Sequence, residues 1–412
     1  LSEPRLAASP GEGVIVVSRR VERIGLSPTL RISALAQSLR SSGVDVLDFS
    51  AGQPDFPTPD AVKRAGIRAI EQDKTRYTPN VGAPELRQAI ARQLMRTRDV
   101  HYDPEQILVS SGAKASLYFA FMALVDPGDD VLLPTPYWVS YPEQIGLTQG
   151  RAVLVPCTDE TGFKLTPEAL EASLTERSRV IVLNYPSNPS GACYGREELE
   201  AIARVCLRHD LWIIADEIYS GMVYDGREFT SVASIGEEVR QRAVIIDGMS
   251  KSYAMTGWRM GHAAGPQEVI SAMARLQSHC TSNASSISQW ASIEALDHGD
   301  DEVRRRLAEF EARRDEIVRL LSELEGVSCL KPEGAFYAFP NVSGLFGRTT
   351  EQGPIRSGQD LAEYLLEKAN VAVVPGDAFG APRHIRVSYS VSIDRIREGV
   401  RRIADAIGRL GR

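Results

Sequence analysis

The chain has 412 residues, of which 43% are hydrophobic and 25% charged, and a formal net charge of -7. This length accommodates two or three domains at ~150 residues each, with a core that needs neither disulfide nor metal. The acidic balance and the lack of a basic block argue against nonspecific binding of nucleic acid, although local arginines and lysines can still hold anionic ligands.

Residues 1–18 contain Pro, Gly and Ser and lack a signal-peptide core, since the apolar run at 14–17 is too short for one. No apolar run reaches ~18 residues, so no membrane span is expected. Cys157, Cys193, Cys206, Cys280 and Cys329 are scattered without a CxxC pair, which fits a reducing compartment, and the cytoplasm is the expected location. The six histidines show no metal-ligand spacing, and His262 and His384, beside apolar strands, read as packed core residues. Residues 1–18 form an extension. Residues 19–60 read as an arm with a helix and a short strand that joins a second domain.

From about Gln106 short β-branched runs alternate with amphipathic stretches. Strands are predicted at 107–109, 131–133, 152–155, 180–183, 212–215, 244–246 and 260–264. Helical spacing covers 114–124, 197–208 and 268–277. Strands apolar on both faces with helices between them predict an α/β domain over 61–300, built on a mostly parallel seven-stranded sheet. Ligands of such sheets gather beyond the carboxyl ends of the strands. A charged helix over 301–325 opens a smaller α+β domain, 301–412. Its predicted pieces are strands at 334–339, 371–374 and 385–388 and helices at 358–368 and 393–410.

The most informative residue is Lys251, in Asp247-Gly248-Met249-Ser250-Lys251-Ser252-Tyr253-Ala254-Met255-Thr256-Gly257-Trp258-Arg259. A lysine just after a buried strand is costly unless its amine has a covalent or ionic task. Pyridoxal 5'-phosphate supplies one: the amine forms a Schiff base with the aldehyde, while Ser250 and Arg259 can reach the phosphate. Taken alone, Lys251 also reads as a surface lysine in a Ser/Gly loop.

Other groups such a cofactor needs have candidates at strand mouths. Asp216 ends the 212–215 run and can keep a pyridine nitrogen protonated; it can equally be a helix N-cap. Tyr219, three residues on, and Asn188, in an Asn-Pro turn, can bond the phenolic oxygen of the ring. Gly112, Ala113 and Lys114 follow a strand and open a helix, so their backbone N–H groups can face an anion. Trp138 can stack on the ring or simply fill the core. Arg386, on a strand of the second domain, suits a substrate α-carboxylate, or is a surface arginine.

Together and in this order, these motifs resemble the class I aminotransferases, the fold-type I pyridoxal-phosphate enzymes, and most closely the bacterial aspartate aminotransferases, over roughly residues 19–410. The resemblance implies that Lys251 is the Schiff-base lysine and proton shuttle, with Asp216 at the pyridine nitrogen. Asn188 and Tyr219 then hold the ring oxygen, Trp138 stacks on the ring, and Ser250, Arg259 and the 112–113 backbone hold the phosphate. It further implies that Tyr77, in Thr75-Arg76-Tyr77-Thr78-Pro79, enters a neighbouring subunit's phosphate site, and so a homodimer with shared sites. Gly52 matches the glycine that approaches the substrate carboxylate beside Arg386. Lys114, with the hydroxyls of Ser27 and Thr29, matches the distal-carboxylate site of the bacterial branch. Ala113 departs from the family's common glycine but keeps its backbone donor.

The implied activity is ping-pong transamination between aspartate and 2-oxoglutarate, with glutamate–prephenate exchange as a further activity. Partners are amino acids and 2-oxo acids, with no nucleic acid and no membrane. An aromatic, alanine or kynurenine aminotransferase and a carbon–sulfur β-lyase share the same cofactor residues and stay open at this level. A non-catalytic sensor on this scaffold is a distant alternative; such regulators usually carry a separate DNA-binding domain, for which 412 residues leave no room, and the net charge disfavours DNA.

Overall fold

Consecutive residues of the central strands face opposite cores, as the two-residue period of a strand dictates. In the strand Ser178–Asn184, Val180 and Val182 pack with Leu117, Phe121 and Met273 on one side. Ile181 and Leu183 pack with Leu199, Ile202 and Cys206 on the other. Both faces are therefore apolar, and helices cover both. The computed structural model describes Ser18, Val21, Ile24, Gly25 and residues 28–411.

The strands of the large sheet are β2 (Ile107–Ser110), β3 (Asp130–Thr135), β4 (Arg151–Pro156), β5 (Ser178–Asn184), β6 (Trp212–Asp216), β7 (Ala243–Gly248) and β8 (Gly261–Ala264). Their order is β2-β8-β7-β6-β5-β3-β4. β8 runs antiparallel to both neighbours, and the remaining pairs are parallel. Asn184 and Asp216 are register partners at the carboxyl ends of β5 and β6. Gly248 ends β7 just before Lys251. Three adjacent strands thus deliver their last residues to one edge, where an open α/β sheet binds ligands.

The smaller domain holds β9 (Tyr337–Ala338), β13 (Val374–Pro375) and β14 (Ile385–Ser388) in an antiparallel sheet of order β13-β14-β9. A short hairpin joins β10 (Thr349–Thr350) to β11 (Gly353–Pro354). Its helices are Asp300–Ser322, Gly358–Ala369 and Ile393–Ile407. The first carries Asp300, Asp301 and Glu302 in its opening turn, and Ser357 and Ser392 cap the other two. β1 (Leu47–Asp48) pairs in parallel with β12 (Val371–Ala372). Ile32 and Ala36 of the helix Pro28–Ser41 pack with Leu366 and Ala372, so the first described elements rest on the last third of the chain.

Two strand expectations need correction. The apolar run 371–374 is not one strand: Val371–Ala372 pairs with β1, while Val374–Pro375 pairs with β14, and Val373 turns between them. Within 334–339 only Tyr337–Ala338 pairs as strand. Ala335 lies at φ +58, which breaks the extended run. Among the described residues no helix is long and apolar enough to cross a membrane.

Candidate active site

β6 brings Asp216 into the protein with only 4% of its surface exposed. The Tyr141 hydroxyl donates to its Oδ2 at 2.7 Å, and the Ile218 N–H donates to Oδ1 at 3.3 Å. Burial pushes the carboxyl up to about 6, and these two donors oppose the shift. A buried carboxylate with so few partners is poised to pair with a cation.

Lys251 is partly buried across the same cavity, and its amine donates to the Gly52 carbonyl. Burial pushes the amine down to about 8; Arg386, Arg259 and Lys114 push the same way, and Asp216 opposes them. An amine in that range is a usable base and nucleophile near neutral pH.

The anion-binding end is made of backbone. The helix Ala113–Leu124 begins at Gly112, whose φ of +84 is left-handed and favours glycine. Gly261, at the start of β8, lies so close to the Gly112–Ala113 backbone that a Cβ there would overlap it. The helix start is therefore seated on the sheet; the Gly112 N–H donates to the Ser110 carbonyl, and the Ala113 and Lys114 N–H groups have no partner among the described residues. The Arg259 guanidinium packs against Gly112, and Arg259 itself adopts φ +55, an uncommon conformation for a non-glycine residue. Ser250 is buried on the same side. The Lys114 amine sits 4.8 Å from the Trp138 ring centre, and burial and then the Arg259 charge lower its proton affinity. Trp138 meets Tyr141 edge-on with ring centres 5.3 Å apart.

Arg386 reaches the cavity from β14 with 2% of its surface exposed. It donates through Nη1 to Asn188 Oδ1 at 2.9 Å and through Nη2 to the Ser50 carbonyl at 2.8 Å. Among the described residues its Nε has no hydrogen-bond partner, an orphaned donor on a buried cation. Asn188 is fixed in turn by its N–H donating to Asn184 Oδ1, while Asn184 Nδ2 donates to the Asp216 carbonyl. Tyr219 is buried beside them, its hydroxyl 2.7 Å from that of Tyr337.

Gly52, Ala113, Lys114, Trp138, Asn188, Asp216, Tyr219, Ser250, Lys251, Arg259 and Arg386 all line one cavity of about 580 Å³. Gly112 lies just behind its wall. Tyr77 is not among these groups; it is 93% exposed on the isolated chain. Ser27 lies outside the described residues, as does the side chain of Thr29. Sequence reasoning missed Tyr141 and Tyr337, which line the same cavity. Tyr141 carried a weak signal, its position one turn beyond Trp138; Tyr337 sat in an apolar run and carried none. The set offers a buried carboxylate facing an amine, several cations and free backbone donors. This chemistry fits a multiply anionic ligand with a protonatable nitrogen and an electrophilic carbon.

Comparison with known proteins agrees with this geometry. The family described as "Aminotransferase class I and II" matches residues 44–403. A probable aspartate/prephenate aminotransferase of Aquifex aeolicus is 47% identical, covering 95% of this chain and 98% of its own. The aspartate aminotransferase of Bacillus subtilis is 42% identical over 94% of this chain and 98% of its own. Among solved structures, the aspartate aminotransferase of Rhizobium meliloti superposes with a TM-score of 0.93 at 43% identity, covering 97% of this chain and 100% of its own. That of Thermus thermophilus with maleate gives 0.90 at 39% identity, covering 95% and 100%. The matched family, the shared sheet and the residues gathered at its carboxyl edge place this chain among the class I and II aminotransferases, as a pyridoxal-phosphate-dependent transaminase.

Proposed function

We propose that the protein exchanges the amino group between L-aspartate and 2-oxoglutarate, and that Lys251, Asp216 and Arg386 carry the reaction. The observation behind this reading is their convergence in one cavity from two strands of the large sheet and one of the small. When bound, pyridoxal 5'-phosphate supplies an aldehyde that captures amines and a ring that accepts electrons. Asp216 holds the ring nitrogen protonated. Tyr219 and Asn188 would bond the ring oxygen, and Trp138 would stack on the ring and exclude water. The free N–H groups at the start of the helix Ala113–Leu124, with Ser250 and Arg259, would hold the phosphate.

Arg386 offers its guanidinium to the substrate α-carboxylate, with Asn188 and Ser50 fixing its plane. Gly52, with no side chain, leaves room for that carboxylate. The Lys251 amine, lowered to about 8, takes the α-proton and holds it for return. Lys114, with Ser27 and Thr29, receives the distal carboxylate. The printed names of the relatives support aspartate, and the maleate held by the Thermus enzyme is itself a dicarboxylate. Two relatives are named for prephenate as well, which favours glutamate and prephenate as a second pair. Tyr77, so exposed on the single chain, completes the phosphate site of a second copy in a homodimer.

The test is a panel of amino acids with 2-oxoglutarate on the purified holoenzyme, its visible spectrum recorded. Aspartate should be the preferred donor, and Lys251→Ala should lose both turnover and the cofactor's covalent absorbance. Normal turnover in Lys251→Ala, or a preference for alanine or phenylalanine over aspartate, overturns the reading.

A further inference from the structure

Tyr219 and Tyr337 come from different domains, yet their buried hydroxyls lie 2.7 Å apart, and among the described residues neither has another hydrogen-bond partner. Tyr219 follows β6 of the large sheet. Tyr337 opens β9 and is the register partner of Ser388 on β14, the strand that carries Arg386. The Arg386 guanidinium carbon lies 4.5 Å from the centre of the Tyr337 ring. A cation over a phenol draws electron density from the ring, which makes that hydroxyl the stronger proton donor of the pair. The 2.7 Å contact admits either hydroxyl as donor, and this polarisation favours Tyr337, an arrangement in which the Tyr219 proton is free to face the cavity. A hydroxyl that accepts one bond also donates a stronger one, because linked hydrogen bonds polarise each other.

We propose that Tyr337 is a positioning residue that orients and strengthens the Tyr219 hydroxyl as a donor to the ring oxygen of bound pyridoxal 5'-phosphate. The proposal rests on the reading of Tyr219 given above. The space around Tyr337 is consistent with a fixed hydroxyl: a Cβ added at Gly52 would come within 3.3 Å of it, and Phe336 packs on its ring with centres 4.7 Å apart. Tyr337 touches no part of the substrate in this scheme. Its effect passes through Tyr219.

The experiment is a pH titration of the visible band of reconstituted holoenzyme for wild type, Tyr219→Phe, Tyr337→Phe and the double variant. Loss of a donor leaves the ring oxygen more basic, so the midpoint should rise in Tyr219→Phe. In Tyr337→Phe it should rise in the same direction by about half a pH unit, the size expected for one weakened hydrogen bond. The double variant should match Tyr219→Phe alone, since Tyr337 has no other route to the ring. Released cofactor also absorbs in this region, so the titration is followed by visible circular dichroism, which only cofactor held asymmetrically by folded protein shows. A wild-type midpoint in Tyr337→Phe, or shifts that simply add in the double variant, overturns the role of Tyr337. An unmoved midpoint in Tyr219→Phe sinks the reading of Tyr219 and this proposal with it.

Discussion

The Tyr141 hydroxyl donates to Asp216 Oδ2 at 2.7 Å, linking the first residue of the helix Tyr141–Leu147 to the end of β6. A hydrogen bond to a carboxylate favours its ionised form, and burial favours the neutral one. Tyr141 therefore keeps Asp216 charged where it would otherwise take up a proton near neutral pH. In the cofactor-free protein, Tyr141→Phe should raise the pH at which Asp216 ionises, read from its carboxyl carbon resonance. Asp216→Asn keeps the shape and removes the charge. Breaking a buried ion pair costs about 3–5 kcal/mol, so kcat should fall roughly 100-fold or more at every pH. A Tyr141→Phe carboxyl resonance that titrates together with wild type would falsify the role of this contact.

Lys114 is the cation best placed to read a substrate's far end, since its amine hangs beside Trp138 on the cavity wall. A charge-assisted hydrogen bond contributes about 1.5–3 kcal/mol. Lys114→Ala should therefore lower kcat/KM for aspartate and 2-oxoglutarate by roughly tenfold to hundredfold. Alanine and phenylalanine, which have no distal carboxylate, should lose less than about threefold. Equal losses in the two classes would assign Lys114 to the cofactor phosphate instead.

How much of this was legible follows from where chemistry constrains sequence. Lys251, Asp216 and Arg386 were each ambiguous alone, a loop lysine, an N-cap and a surface arginine; the order of the whole set and its resemblance to the class I aminotransferases singled them out. The contacts behind them were not readable. Arg98, in the last turn of the helix Pro84–Arg98, looks like an ordinary solvated helix end. The fold instead buries it against Glu217, Asp247 and Ser220, beneath the strands that carry Asp216 and Lys251. The split of 371–374 into two pairings was hidden for a related reason. A continuous apolar run says that a segment is buried but not which neighbour each residue meets.

Tyr77 offers a test of assembly that needs no structure of the dimer. If Tyr77 serves the other copy's site, a mixed dimer of Tyr77→Ala and Lys251→Ala subunits has one site with both changes and one with neither. Coexpression should then give activity well above that of either variant alone, up to about a quarter of wild type for random pairing. If Tyr77 acted within its own chain, every site in the mixture would be damaged. No recovery on coexpression would place Tyr77 outside the neighbouring site.

His262 supplies the last prediction, one of stability rather than turnover. It lies on β8 with 2% of its surface exposed, and neither ring nitrogen has a hydrogen-bond partner among the described residues. It borders a cavity of about 190 Å³ shared with Arg98, Asp247, Tyr253, Asp300 and Arg304. Burial pushes its pKa down to about 4; Asp247 opposes the shift and Arg98 adds to it. In the unfolded chain the same imidazole titrates near 6.5, so between those two values the unfolded state binds more protons than the folded one. The stabilising contribution is thus complete above pH 6.5 and is lost as the pH falls towards 4, by about 3 kcal/mol over the window. His262→Phe keeps a flat ring in the same place and removes the titration. Chemical denaturation at pH 7 and pH 4.5 should show a smaller loss of stability in this variant than in wild type. Carboxylates that titrate over the same range, Asp216 among them, are common to both proteins and cancel in the comparison. Equal losses in the two proteins would mean that His262 finds a proton partner in solution, such as water ordered in the cavity, that keeps its pKa near the ordinary value.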